Sequence, residues 1–373
     1  MAHEKKSRHI YENLLKRVEK KARVALATIT ATRGSTPQVP GASALFSNES
    51  LVAGTLGGGL LEADATQKAF ACLREGKADL FTYRLLGDVT TPGESICGGE
   101  ATILVDPFPE KHEQTFQNLV HALKDRMPGI LITILNKRPE GPLHIKRQWI
   151  EEKALSGSRF PGVAAGLEGE IRRCMQEKKP LFLRFETAPS QRPTSSSRSE
   201  EAAFYLEPHF PLPRLVIAGA GHVGQAVAHL GSLLDFEVTV VDDRPEFANP
   251  ERIPVADRII VQDIGKAVSE LPKTEDTYVV IVTRGHRHDA DALKACIKSD
   301  AAYIGMIGSA RKIALMRKNF LENGWASPSE FDRVHAPIGL EIDSRTVQEI
   351  AVSIAAELVL VRSRTMKEGK GTR

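Results

Sequence analysis

The chain has 373 residues, of which 42% are hydrophobic and 26% charged, the mix of an ordinary soluble protein of two domains. That composition excludes a collagen, a coiled-coil rod and a wholly disordered chain. No apolar run approaches the ~20 residues needed to cross a bilayer, so no membrane partner is expected. The basic N-terminal stretch lacks the apolar core of a secretory signal. Four cysteines, Cys72, Cys97, Cys174 and Cys296, form no CxxC pair, so neither a disulfide scaffold nor a zinc site is expected, and a cytoplasmic location fits. The net charge of +3 is uneven: residues 1–23 carry +5 and residues 362–373 carry +4, leaving −6 between them. Basic ends without a basic stripe among aromatics argue against a nucleic-acid partner.

In chain order, Ile10, Leu14, Leu15 and Val18 predict an amphipathic helix. A strand at 24–31 leads into the turn-rich stretch 33–41, and short apolar runs at 43–46 and 51–54 read as a hairpin ending in GTLGGG (54–59). A helix at 60–76 with a glycine stop follows, then strands at 80–85 and 101–108 around a loop holding CGGE (97–100). Beyond 110 come a helix near 112–125, a strand at 130–135, a helix near 165–178 and a strand at 181–186. Residues 187–203, rich in Ser, Pro and charge, read as a linker between an N-terminal α/β domain with a mixed sheet (1–186) and a C-terminal domain (204–373).

The C-terminal half alternates short, continuous apolar runs with helices: 215–221, 236–243, 258–261, 278–283 and 301–308. This pattern predicts a doubly wound parallel sheet, a Rossmann fold. Gly219, Gly221 and Gly224 form GAGHVG between the first strand and its helix, with His222 and Val223 inside the motif. Asp242 ends the second strand, where an acid accepts from a ribose hydroxyl. The glycines serve equally to let helix and strand pack closely. Two further loops fall at carboxyl ends of strands. In TRGHRHD (283–289), Arg284, Gly285 and His286 face the expected crevice, while Asp289 reads as the cap of a helix starting at Ala290. His286, His288 and Asp289 lack a further group at ligand spacing, so no metal is expected. In GMIGSARK (305–312), Gly308 and Ser309 precede a helix whose first turn carries Arg311 and Lys312. Cations there oppose the helix dipole, and they read equally as partners of a bound phosphate that would favour them and as ordinary solvated residues.

In the N-terminal half, Gly57, Gly58 and Gly59 leave three positions without side chains, and Glu62 follows in the first helical turn. Cys97 precedes Gly98 and Gly99, and reads equally as a ligand or sulfur carrier and as a small buried side chain. Cys72 and Cys296 sit on apolar helix faces and are assigned to the core.

The motifs GSTPQVPGA (34–42), GTLGGGLLE (54–62), CGGEATILVDP (97–107), VIAGAGHVG (216–224), VDDRPEFAN (241–249), VTRGHRHD (282–289), YIGMIGSARK (303–312) and HAPIGLEI (335–342) leading into QEIAVSIAAEL (348–358) resemble the XdhC/CoxI family, the xanthine dehydrogenase accessory proteins. The resemblance implies a chaperone, not a catalyst. It would bind the molybdenum cofactor (molybdopterin), protect it during sulfuration by a cysteine desulfurase, and insert it into a molybdenum hydroxylase apoenzyme. It further implies that Cys97 lies nearest the sulfur chemistry, and that Gly219, Gly221, Gly224 and Asp242 line a nucleotide crevice. A homodimer is expected. At 342–346 the family's Gly-Ala pair is replaced, and Asp343 and Ser344 read as caps of the last helix. Two other functions stay open: an NAD(P)-dependent oxidoreductase using His222 or His286 as acid or base, and a nucleotide-sensing component of the hydroxylase.

Overall fold

A computed structural model describes residues 10–84, 98–137, 141–156, 166–186 and 201–368, so Cys97 lies outside the described residues. Two units divide at Pro211 and Leu212. No described helix is long and apolar enough to cross a membrane.

The N-terminal unit begins with α1 (Ile10–Glu19), β1 (Ala25–Arg33), β2 (Ser43–Phe46), β3 (Leu51–Gly54), α2 (Gly59–Glu75), β4 (Asp79–Arg84) and β5 (Glu100–Asp106). The five strands pair in the order β3-β2-β1-β5-β4, every pair antiparallel. Central β1 is covered on both faces, which explains its almost unbroken apolar run. Ala25, Ala27 and Ile29 pack on Leu61, Ala65 and Ala69 of α2. Leu26 points the other way, onto Tyr11 and Leu14 of α1. The glycine stop of α2 is Gly76, left-handed at φ 63°, whose N–H donates to the Cys72 carbonyl.

A second antiparallel sheet has the order β7-β6-β9-β8, built from β6 (Gly129–Lys137), β7 (Leu143–Glu151), β8 (Leu181–Glu186) and β9 (Glu201–His209). It packs on α3 (Glu113–Lys124) and α4 (Glu168–Glu177). The mixed sheet expected from the sequence is therefore two antiparallel sheets. The domain boundary also moves. Residues 201–203 are strand, not linker, and 204–209 belong to the N-terminal sheet, because β9 pairs along its whole length with β6, from Glu201 opposite Lys137 to His209 opposite Gly129. Phe204 and Leu206 of β9 supply core to that sheet.

The C-terminal unit runs β10 (Arg214–Ala218), α5 (His222–Leu233), β11 (Glu237–Asp242), β12 (Arg258–Val261), α6 (Ile264–Glu270), β13 (Thr277–Ile281), α7 (His286–Lys294), β14 (Tyr303–Met306), α8 (Ala310–Glu322), α9 (Pro328–Asp332), β15 (Val334–His335) and α10 (Val347–Glu368). Its sheet is wholly parallel, in the order β12-β11-β10-β13-β14-β15. That is the 3-2-1-4-5-6 order of a Rossmann fold, with the direction of winding reversing between β10 and β13. Alternate residues face opposite layers: Leu215 and Ile217 join the α5 and α10 side, Val216 and Ala218 the side of α6, α7 and α8. α10 is capped by Thr346, not by Asp343 or Ser344. The Thr346 hydroxyl accepts from the Glu349 N–H at 3.2 Å, and the Glu349 carboxylate accepts from the Thr346 N–H at 2.9 Å.

Candidate functional site

The reversal between β10 and β13 opens a crevice at the carboxyl edge of the sheet, where open α/β folds bind ligands. The three fingerprint glycines occupy three different situations there. Gly219 has φ +117°, and a Cβ on it would meet the Val282 carbonyl oxygen at 2.5 Å, so only glycine lets β10 turn beside β13. A Cβ on Gly224 would strike the Gly219 carbonyl, so this glycine packs helix against turn. A Cβ on Gly221 would meet nothing within 4 Å, which leaves open space above the turn. No side chain caps α5 at Gly221 or α7 at Gly285. These two helix starts leave backbone N–H groups and positive dipole ends at the crevice. His222 is exposed at the start of α5, and Val223 packs partly into the core beside it.

Asp242 does not stand ready for a ribose. Only 1% exposed, its Oδ2 accepts from the Ala220 N–H at 2.8 Å and from Arg244 Nη2 at 2.9 Å. Its Oδ1 accepts from the Arg244 backbone N–H at 3.1 Å and from Arg244 Nε at 2.8 Å. Burial works to raise the pKa of this carboxyl, but the Arg244 side chain and the Ala220 and Arg244 amides outweigh it and hold the group below the usual carboxylate range. Next to it, Asp243 Oδ2 accepts from Arg284 Nη2 at 2.9 Å.

The loops after β13 and β14 also differ from expectation. α7 starts at His286 with Gly285 as its cap, so Asp289 lies inside the helix. Asp289 is fully buried. It accepts from the Thr283 hydroxyl at 2.7 Å and from Lys312 Nζ. Lys312 Nζ also donates to the Ile307 carbonyl at 3.2 Å. The first-turn cation of α8 thus answers a buried carboxylate of this chain, not a phosphate. Ser309 caps α8, accepting from the Lys312 N–H at 3.3 Å. Gly308 lies against the Lys312 side chain, while Arg311 and His286 are exposed. Among the described residues no His, Cys, Asp and Glu group is arranged for a metal.

One polar cluster joins residues that the sequence places in separate motifs without connecting them. Glu357 of α10 accepts from the Tyr303 hydroxyl at 2.5 Å and the Gly339 N–H at 2.8 Å, and bonds His335 Nδ1 at 2.9 Å. It ties together the two ends of the stretch 335–358, and only its separation of 22 residues from His335 hid it.

In the N-terminal unit, three loops converge at one end of the five-stranded sheet. β1 and β3 end there, and β5 starts there, with Arg33 opposite Glu100. A Cβ on Gly34 would meet the Gly98 carbonyl oxygen at 2.9 Å, and one on Gly99 would strike the Ser35 carbonyl. A Cβ on Gly57 would crowd Pro37 and Gln38 at 3.0 Å. Gly58, Gly59 and Gly98 face open space. The loop is braced by Glu62, which accepts from the Thr55 hydroxyl at 2.7 Å and the Leu56 N–H at 2.9 Å. Partial burial works to raise the Glu62 pKa, but these donors and the Gly58 amide outweigh it and leave it lowered. The other three cysteines are buried. Burial pushes the Cys72 thiol up to about 11, and those of Cys174 and Cys296 up to about 12.

Known proteins share this architecture and these motifs. A Bacillus halodurans crystal structure described as a xanthine dehydrogenase superposes with a TM-score of 0.73 at 24% identity, covering 95% of this chain and 96% of that one, and shows a common fold. Escherichia coli YqeB is 34% identical over 243 residues, 63% of this chain, which spans only 44% of YqeB. A Bacillus subtilis protein described as a probable xanthine dehydrogenase component is 26% identical over 93% of this chain and 96% of its own length. The molybdenum cofactor insertion chaperone PaoD of E. coli is 21% identical over 90% of this chain and 83% of its own. A model described as the XdhC and CoxI family matches residues 18–84, and one described as the XdhC Rossmann domain matches residues 215–358. The loops at Gly34 and Gly57–Gly59 of the first unit fall under one of these models and the sheet of the second under the other, and the chain belongs to the XdhC and CoxI family.

Proposed function

We propose that this chain is an accessory protein of molybdenum hydroxylases that binds the molybdenum cofactor as cargo, supports its sulfuration and inserts it into the apoenzyme. The observation that carries the reading is the convergence of three glycine-rich loops, with open space at Gly58, Gly59 and Gly98, on the segment that Cys97 directly precedes. Backbone without side chains lets a flat, polar molecule approach N–H and C=O groups closely. The raised thiol pKa values of Cys72, Cys174 and Cys296 make them poor nucleophiles, which leaves Cys97 as the cysteine for sulfur chemistry. Kinship with PaoD supports the insertion role. A cysteine desulfurase supplies the sulfur in this reading, and the protein works as a cytoplasmic homodimer. Taken by itself, the second unit offers the backbone at Gly219 and Gly221, the starts of α5 and α7 and the exposed Arg284, His286 and Arg311 to a phosphate-bearing ligand. Gly224, Ser309 and Lys312 would keep that edge in shape.

The test is to purify the protein from a molybdate-replete host, oxidise it and measure pterin fluorescence. Stoichiometric pterin is the expected result. Absence of pterin, together with failure to bind added cofactor, overturns the reading.

A further inference from the structure

The end of β11 is where a Rossmann crevice reads the ribose of a dinucleotide, and its acid has no acceptor capacity to spare. An ionised carboxylate offers about four lone-pair directions. Asp242 spends them on the Ala220 N–H, the Arg244 N–H, Arg244 Nε and Arg244 Nη2, at 2.8–3.1 Å. The arrangement is local and preorganised. Arg244 stands two residues after Asp242, so little chain entropy opposes the pairing, and its fork meets both carboxylate oxygens. Its guanidinium carbon lies 4.0 Å from the centre of the Phe247 ring, which holds the fork in place. Beside it, Arg284 holds one oxygen of Asp243, and the other oxygen of Asp243 is buried without a partner among the described residues. Asp242 thus presents no free oxygen to a ligand, and the one unpartnered oxygen of Asp243 is shut away by burial.

We infer that Arg244 is a specificity-determining residue that fills the ribose subsite of this crevice from within, so that the unit discriminates against ligands recognised through a ribose 2′,3′-diol, such as NAD and ADP-ribose. Asp242 is then a positioning residue. It ties the glycine turn, through Ala220, to the end of β11, and keeps Arg244 across the subsite. The inference stands on this crevice alone and goes beyond the cargo reading.

The probe is ADP-ribose, compared with its 2′-deoxy analogue, titrated into the full chain by calorimetry. The wild-type chain is expected to show less than a threefold difference between the two. Arg244→Met keeps an unbranched side chain against Phe247 and removes the fork. It is expected to bind ADP-ribose at least tenfold more tightly than wild type, to prefer the diol, and to lose the gain when Asp242→Asn is added. Circular dichroism checks that each variant is folded. A tenfold diol preference in the wild-type chain, lost in Asp242→Asn, overturns the inference whether or not Arg244→Met folds. A folded Arg244→Met with no gain also overturns it. Pterin content is measured separately, so failure of the cargo reading leaves these outcomes unaltered.

Discussion

Replacing Lys312 with Met separates two explanations for a cation in the first turn of α8. In the structure its ammonium pairs with Asp289, which is fully buried. The same carboxylate keeps one other described donor, the Thr283 hydroxyl at 2.7 Å. Removing one partner of a buried pair strands the other charge, at a cost of about 3–5 kcal/mol. At roughly 2–4 °C per kcal/mol for a unit of this size, the C-terminal unit should melt about 10 °C lower. Lys312→Met combined with Asp289→Asn removes the stranded charge as well and should recover about half of that loss. The assay is thermal unfolding followed calorimetrically, with Lys318→Met on the exposed face of the same helix as control. A Lys312→Met chain within about 1 kcal/mol of wild type would refute the structural assignment and return Lys312 to ligand binding.

A thiol reagent at pH 8 should label Cys97 alone in the native chain, because burial raises the other three thiols; labelling of any of those three would contradict the assignment. Cys97→Ser should fold normally yet impair maturation of a co-expressed hydroxylase, and equal hydroxylase activity with both versions would refute the sulfur role. Gly221→Val fills the open space above the glycine turn and should weaken cofactor binding at least tenfold; unchanged affinity would reduce the fingerprint to packing. Glu357 is affected most by burial, which raises its pKa, but donors from His335, Tyr303 and Gly339 together bring it below the ordinary 4.5. Its stabilising contribution is therefore complete above pH ~4.5 and lost as pH falls through the lowered folded value. Glu357→Gln should be less stable than wild type at pH 7, and the gap should narrow as pH falls below the ordinary glutamate range; a gap that stays constant down to acid unfolding would exclude this linkage.

The parallel sheet was legible in the sequence because its strands are covered on both faces. A run such as 215–218 then has no polar side to disguise it, and the glycine stop of α2 was equally plain. β7 and β9 were missed for the opposite reason. LHIKRQWIE alternates charge with apolar residues along a half-exposed strand, and Glu201 opens β9 directly after a Ser- and Pro-rich stretch. Site residues divided along another line. Backbone roles could be read from glycine spacing, since space and φ are local properties. Side-chain roles could not, because partners decide them. Asp242 looked available until Arg244 folded back on it, and Lys312 looked like an anion ligand until Asp289, 23 residues away, met it.

β9 sits in the interior of its sheet, between β6 and β8, yet it is reached only after residues 187–200 and continues into β10 within a few residues. A single cut anywhere in 187–200 would therefore not part the two units. The downstream fragment would carry a strand hydrogen-bonded on both edges inside the upstream one, a non-covalent rivet. A chain cut there is expected to stay joined through β9, whereas true separation of the units requires scission at 210–213.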